Sequence, residues 1–278
     1  MGCLNDEGKF SHWFGNIHLS GPCNRRCYFC IGQHMMALDQ MNTLDRFPLP
    51  GLDEFIVRCA SHKVKEVYLT GSNTEPMLYR HHAELVERLK GGIRSVRVGI
   101  RSNGIMVPKL PDTWRLYDKA SITICSIDRD VNRRMMGGDP ADIDGIIGIS
   151  AGMDLKVNVV LGPENIGDVV NTLEKLAGSG VRRVNLREPY GQPHVGDPMV
   201  RNGFIAEGTT LGMPTYRIGR MKVTYWDVHY VEVESVNLYA SGRISELYLI
   251  TKGHDESGEV HSQEQFRHGR QRAQWQYG

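Results

Sequence analysis

The chain has 278 residues, 40% hydrophobic and 23% charged, with a formal net charge of +1. That length can bury a core without disulfide or structural-metal support, and the near-neutral balance excludes a general nucleic-acid-binding footprint. No run of about 18 apolar residues occurs, so no membrane span is expected; Met1 to Phe10 is polar without an apolar signal core, which points to a cytoplasmic protein.

Residues 1–13 read as an N-terminal extension. A first strand is expected over 14–20 (FGNIHLS), stopped by Gly21-Pro22. Directly after it, Cys23-Asn24-Arg25-Arg26-Cys27-Tyr28-Phe29-Cys30 places three of the six cysteines within eight residues. In a reducing compartment such clustering suggests metal or redox chemistry rather than disulfides. Leu52, Phe55, Ile56 and Cys59 share one helix face. A second strand over 65–70 runs into Gly71-Ser72-Asn73-Thr74-Glu75-Pro76, where Asn73 or Thr74 suits a helix N-cap. A helix with Leu78, Leu85, Val86 and Leu89 on one face follows, then a third strand over 95–102 leading to Asn103-Gly104. Pro111 suits the first turn of a short helix.

A fourth strand is expected over 121–127, followed by the segment Asn132 to Gly138 (NRRMMGG) and a helix with Ile143, Ile146 and Ile147. The fifth strand, 155–161, contains Lys156, Asn158 and Val160; the next helix carries Val169, Val170, Leu173 and Leu176. The sixth strand, 181–188, ends in Arg187-Glu188, a charged pair that binds substrate or pairs internally. Beyond it, 222–235 and 237–250 read as two long strands that could pair as a hairpin. Their aromatics Tyr225, Trp226, Tyr230 and Tyr239 suit sheet packing or a lid. Residues 253–278 are polar and read as a short helix or a disordered tail, with His254, His261 and His268 at seven-residue spacing.

Strand and helix alternation implies parallel strands with right-handed crossovers. Six units fall short of a closed eight-stranded barrel. The fold class expected is therefore α/β: a partial (β/α)6 barrel over 14–193 with a small C-terminal β extension and polar tail over 194–278. Sites in such folds gather at the carboxyl ends of the strands.

The cysteine count carries the chemistry. A structural zinc site takes four ligands, and a fully ligated [4Fe-4S] cluster takes four cysteines. Three leave one metal position open, as catalysis requires. CxxxCxxC with an aromatic residue, Phe29, before the last cysteine resembles the signature of the radical S-adenosylmethionine (SAM) superfamily. The resemblance implies that Cys23, Cys27 and Cys30 hold a [4Fe-4S] cluster whose fourth iron binds SAM. It also implies reductive cleavage of SAM to a carbon radical that abstracts a hydrogen atom from substrate. Gly71 and Glu75-Pro76 resemble the family's Gly-Gly-Glu-Pro stretch, with extra residues between. Ser102-Asn103-Gly104, Ser126-Ile127-Asp128 and Lys156-Val157-Asn158 resemble strand ends of its molybdopterin-pathway and peptide-modifying members.

On that resemblance, SAM is expected to contact Phe29, Gly71, Ser72, Thr74, Glu75, Ser102, Asn103, Ser126, Asn158 and Val160, with Arg187 and Glu188 toward substrate. The substrate class stays open among small molecules, nucleotides and peptides. A one-electron donor such as flavodoxin or ferredoxin is implied. No cysteine follows Cys125, so no auxiliary cluster is expected. The rival reading is a non-catalytic zinc or iron-sulfur protein, its metal completed by His18, His34 or a distant residue.

Overall fold

The computed structural model describes residues 3–4, 10–11, 13–35, 37–227 and 233–247. The six expected βα units are present. Their strands are β1 (Trp13–Leu19), β2 (Glu66–Gly71), β3 (Arg97–Ser102), β4 (Lys119–Ile124), β5 (Asp154–Val160) and β6 (Arg183–Arg187). The helices are α1 (Leu52–Ser61), α2 (His82–Gly92), α3 (Pro111–Trp114), α4 (Arg129–Met136), α5 (Ile143–Ile149), α6 (Val169–Gly178) and α7 (Pro198–Arg201). The apolar stripes bury as the 3.6-residue period requires: Leu52, Phe55, Ile56 and Cys59 on α1, and Val169, Leu173 and Leu176 on α6. Asp128 and Asp142 cap α4 and α5 by accepting from the N–H groups of Val131 and Gly145. Among the described residues no helix is long and apolar enough to cross a membrane.

The chain beyond 193 departs from the expected hairpin. It forms β7 (Gly208–Thr210), β8 (Met213–Ile218), β9 (Met221–Trp226), β10 (Glu234–Leu238) and β11 (Ile244–Ser245). The sheet order is β11-β10-β1-β2-β3-β4-β5-β6-β9-β8-β7. β9 pairs in parallel with β6, and β10 pairs in parallel with β1. The two supposed hairpin partners therefore lie on opposite flanks, where each covers an edge that six strands would leave unpaired. The region 222–235 hides this break because no Gly or Pro punctuates it. From Trp226 to Glu234 the chain advances eight residues, a reach of roughly 27 Å at most. The flanks must approach within that span, so the sheet curves as an open, partial barrel. The tail 253–278, its three histidines and Tyr230 lie outside the described residues.

The strands alternate strictly. Val67, Leu69, Val98, Ile100, Ile122, Ile124, Val157, Val159, Val184 and Leu186 point outward and are buried under the helices. Their neighbours point into the barrel and are mostly polar: Glu66 and Thr70, Lys119, Ser121 and Thr123, Lys156 and Asn158, Arg183, Asn185 and Arg187. The apolar core is thus the outer layer, between sheet and helices, and the inside is left for a ligand.

One buried ion pair ties the last strands to the segment behind the cysteine loop. Asp39 is fully buried; it accepts from Ser241 Oγ (2.5 Å) and pairs with Arg243 (2.5 Å), whose guanidinium lies 3.7 Å from the Tyr239 ring centroid. Removing one partner of such a pair strands the other charge. Arg243→Ala is expected to lower stability by about 3 kcal/mol in urea unfolding; a loss under about 0.5 kcal/mol, the size of an exposed pair's effect, would show that Asp39 is held otherwise.

Candidate functional site

The three cysteines sit in a loop on top of the barrel, and the ends of the strands hold it there. Asn73 Oδ1 accepts from Ser20 Oγ (2.8 Å) and the Gly21 N–H (3.1 Å). Thr74 Oγ1 donates to the Pro22 carbonyl. Asn103 Nδ2 donates to Asn24 Oδ1 (2.6 Å). On the other side, the N–H groups of Arg26 and Tyr28 donate to the last carbonyls of α4, on Met136 (3.1 Å) and Met135 (3.3 Å). Arg25 donates to the Asp139 carbonyl, and Tyr28 Oη donates to Glu164 Oε2 (2.8 Å). Gly137 ends α4 at φ 73°, a left-handed conformation glycine adopts without cost, and a Cβ there would press on Arg26.

The thiols sense one another. Burial pushes the Cys27 thiol up to about 12, with negative charge on Cys30 and Cys23 adding to the effect. Burial also raises Cys23 and Cys30. Desolvated thiols give up their protons to a bound metal's charge. Cys23 is exposed and the other two are half-buried. Among the described residues, no three His, Cys, Asp or Glu side chains converge on one ion-sized point. Of the histidines of the zinc alternative, His18 bonds Asn237 through Nε2, and His34 stands edge-on to Tyr190. Three thiolates in one loop are a donor set that an iron-sulfur cluster takes.

Below them lies a cavity of about 660 Å³ that all three cysteines line. Phe29, Gly71, Ser72, Thr74, Glu75, Ser102, Asn103, Asn158 and Val160 line the same cavity, so the sequence-predicted set is largely brought together. Two of its buried polar atoms, Ser72 Oγ and Asn158 Oδ1, have no protein partner. Such atoms are normally satisfied, so a polar ligand such as SAM fits here. Val160 packs with Cys125, Met135 and Met136 against Cys27 and Phe29, making the apolar wall an adenine ring would need. Glu75 lines the cavity with its side chain engaged by the protein. Its buried carboxylate accepts from Ser102 Oγ (2.6 Å) and from the N–H groups of Asn103 (2.8 Å) and Met77 (3.1 Å), and burial raises its pKa. It fixes the ends of β2 and β3 rather than presenting free oxygens.

Two of the sequence-predicted residues are engaged by protein partners. Ser126 does not line the cavity: it is buried beside Thr172 Oγ1 (3.3 Å), and its hydroxyl accepts the Asp128 N–H (3.0 Å), shaping the turn into α4. Glu188 lines the cavity, but its carboxylate is already used, accepting from Gly196 N–H (2.8 Å), Val195 N–H (3.3 Å) and Tyr225 Oη (2.9 Å). It pins the loop after β6, whereas Arg187 faces the cavity.

Sequence reasoning missed the lower cavity. Arg101, Lys119, Lys156, Arg183 and Lys222 line it, against Glu66 and Asp154, while Arg187 stands higher in the same cavity, level with Val160. These carboxylates are engaged: Lys119 holds Glu66 (2.5 Å), and Arg183 holds Asp154. Among the described residues Lys156 and Arg187 have no carboxylate within salt-bridge reach. Burial first, then the positive charges of Arg101, Arg187, Arg183 and Lys119, bring the Lys156 ammonium down to about 7. The signal was present as charge at every second strand position.

Sequence reasoning also undervalued Asn132. It is buried; its oxygen accepts the Cys125 N–H (3.0 Å), and its Nδ2 donates to the Gly138 carbonyl (2.7 Å). It thereby ties the β4 end to the turn that supports Arg25 and Arg26. Asn132→Ala is expected to cost about 2 kcal/mol through unpaired buried groups and to lower iron retained per chain after desalting. Unchanged stability and iron content would remove Asn132 from the support of the loop.

Comparisons with known proteins agree with this geometry. The family described as the Radical SAM superfamily matches residues 17–176. A GTP 3',8-cyclase of Synechocystis sp. is 30% identical over 97 residues, 35% of this chain and 28% of that protein. A probable GTP 3',8-cyclase of Thermococcus kodakarensis is 26% identical over 178 residues, 59% of this chain and 53% of that one. The chain thus spans about half or less of the curated relatives it matches. SuiB from Streptococcus suis, solved with S-adenosylmethionine, superposes with a TM-score of 0.57 at 14% identity, covering 86% of this chain and 60% of that one. At that identity the likeness speaks for the fold.

Proposed function

This chain belongs to the radical SAM superfamily, and from that premise we propose that it is an enzyme acting on a phosphorylated, nucleotide-like substrate seated beneath its cofactors. The carrying observation is the cavity itself: three thiols at the top and an excess of cations at the bottom. Cys23, Cys27 and Cys30 would hold a [4Fe-4S] cluster, with Ser72, Asn158, Val160 and Phe29 toward SAM. When bound, the cluster and SAM supply reductive carbon–sulfur cleavage and a carbon radical able to remove a hydrogen atom from substrate.

This chain's residues then do three things. The apolar wall of Val160, Met135 and Met136 keeps water from the reacting face. The Glu75 and Asn73 ties hold the cysteine loop at a fixed height over the cavity. Lys156 and Arg187 offer uncompensated positive charge to an anionic ligand, which would offset the cost of burying Lys156. The kinship to proteins named as GTP cyclases favours nucleotides over the peptide alternative. The electron would come from a donor such as flavodoxin or ferredoxin, for which exposed Cys23 and Arg26 offer an approach.

Two outcomes test this reading. Cys27→Ala, reconstituted anaerobically, is expected to lose most of the about four irons of a cubane cluster and to form no 5'-deoxyadenosine from SAM and dithionite, with an unchanged circular dichroism spectrum. Retained SAM cleavage would contradict the assignment. For the substrate floor, Lys156→Met is expected to weaken inorganic tripolyphosphate binding about tenfold at pH 6.5. An anion favours the ammonium form, so binding raises the pKa of Lys156 above its free value of about 7. The wild-type advantage should therefore be greatest below about pH 7 and shrink as pH rises through it, with the ratio to the variant cancelling titration of the ligand. A pH-independent ratio near one would exclude Lys156 from anion binding.

A further inference from the structure

The inner face of β1 carries two side chains that neither the cofactor residues nor the cations account for. Asn16 and His18 are 4% and 5% exposed, and both line the cavity. Both meet Asn237 on β10: Asn16 Nδ2 lies 2.8 Å and His18 Nε2 3.1 Å from Asn237 Oδ1.

The direction of these bonds is fixed from the far side. Asn237 Nδ2 points at the main-chain oxygens of Leu247 (2.9 Å) and Ser245 (3.4 Å), which can only accept. The amide must then turn its oxygen to β1, so Asn16 and His18 both donate to it. A neutral imidazole that donates from Nε2 keeps a lone pair at Nδ1. His18 is neutral near pH 7: burial lowers it to about 4, helped by the charges of Arg101 and Arg243 and opposed by the Asn237 bond and Asp39. Tyr239 stacks on the ring at 5.2 Å and 17°, which holds its plane.

Two buried acceptors are left without a protein partner, Asn16 Oδ1 and His18 Nδ1. They sit two residues apart on one inward face. Satisfied polar atoms are the rule inside proteins, and a fixed orphan pair on a cavity wall marks a place where a ligand completes the bonding. The positive charges of Arg101 and Arg243 near His18 oppose a cationic donor there.

We propose that Asn16 and His18 form an acceptor pair that reads uncharged N–H or O–H donors of the substrate. On the nucleotide reading above, on which this rests, the donors belong to the base edge or the sugar, while the phosphates lie against Lys156. A site that hydrogen-bonds a donor rejects ligands lacking it, because its own acceptors are then left unpaired.

The test is calorimetric binding to the reconstituted protein with SAM present, using GTP, 2',3'-dideoxy-GTP and inorganic tripolyphosphate. Wild type is expected to bind GTP at least about tenfold more tightly than tripolyphosphate. His18→Phe is expected to close that gap while tripolyphosphate affinity stays within about twofold. Should His18→Phe fail to fold, Asn237→Asp serves: its carboxylate favours the imidazolium, turns Nδ1 into a donor, and should also close the gap. A gap kept by the dideoxy analogue assigns the donors to the base, and a gap lost assigns them to the sugar; either supports the pair. An undiminished gap in the folded variants, or no gap in wild type despite tripolyphosphate binding, overturns it. Failure of tripolyphosphate to bind wild type counts against the anionic floor itself and removes the basis of this proposal.

Discussion

The molecule turns on how a loop of three cysteines is held rigid without secondary structure of its own. Its polar backbone is pinned by side chains from the carboxyl ends of neighbouring strands: Asn73 beneath Ser20 and Gly21, and Asn103 against Asn24. Glu75 locks Ser102 and the Asn103 N–H behind them, and the last carbonyls of α4 take the N–H groups of Arg26 and Tyr28. Each tie is a hydrogen bond of modest net worth, but they are buried and shared, so loss of one leaves others unpaired. A radical enzyme needs this rigidity, because small displacements of reacting atoms carry large rate costs.

Beneath the loop, strand register sorts the cavity into levels. Thr123, Asn158, Asn185 and Thr224 stand opposite one another across adjacent strands, a ring of amides and hydroxyls. One pleat deeper, Arg101 faces Ser121, which faces Lys156, and Arg183 faces Lys222. Cofactor contacts above, neutral polar groups between and cations below give a ligand's depth a chemical meaning. The flanking strands complete the enclosure: β9 contributes Lys222 and Thr224, and β10 brings Asn237 to Asn16 and His18.

Much of this was legible in the sequence, for identifiable reasons. The Cys23-Cys27-Cys30 spacing and the six apolar β-branched runs depend on local order, so they survive folding unchanged. Placement of β9 and β10 was not legible, because pairing partners are chosen by free edges far away in sequence. Ser126 shows a second limit: a strand-end serine looks like a ligand contact until the turn into α4 claims its hydroxyl. The charged interior was readable but unread. Lys119-Ser121-Thr123 and Lys156-Asn158 alternate with apolar residues as any half-exposed strand would. Only the curvature of the sheet shows that their polar face looks inward.

The central claim is that three thiolates leave one metal corner free for the methionine end of SAM. Electron–nuclear double resonance on the reduced cluster, with SAM labelled at its amino nitrogen, addresses that corner directly. The account predicts a nitrogen coupling that appears only when labelled SAM is present and disappears on its removal. A cluster with full spectroscopic integrity and no coupling to the label would contradict it.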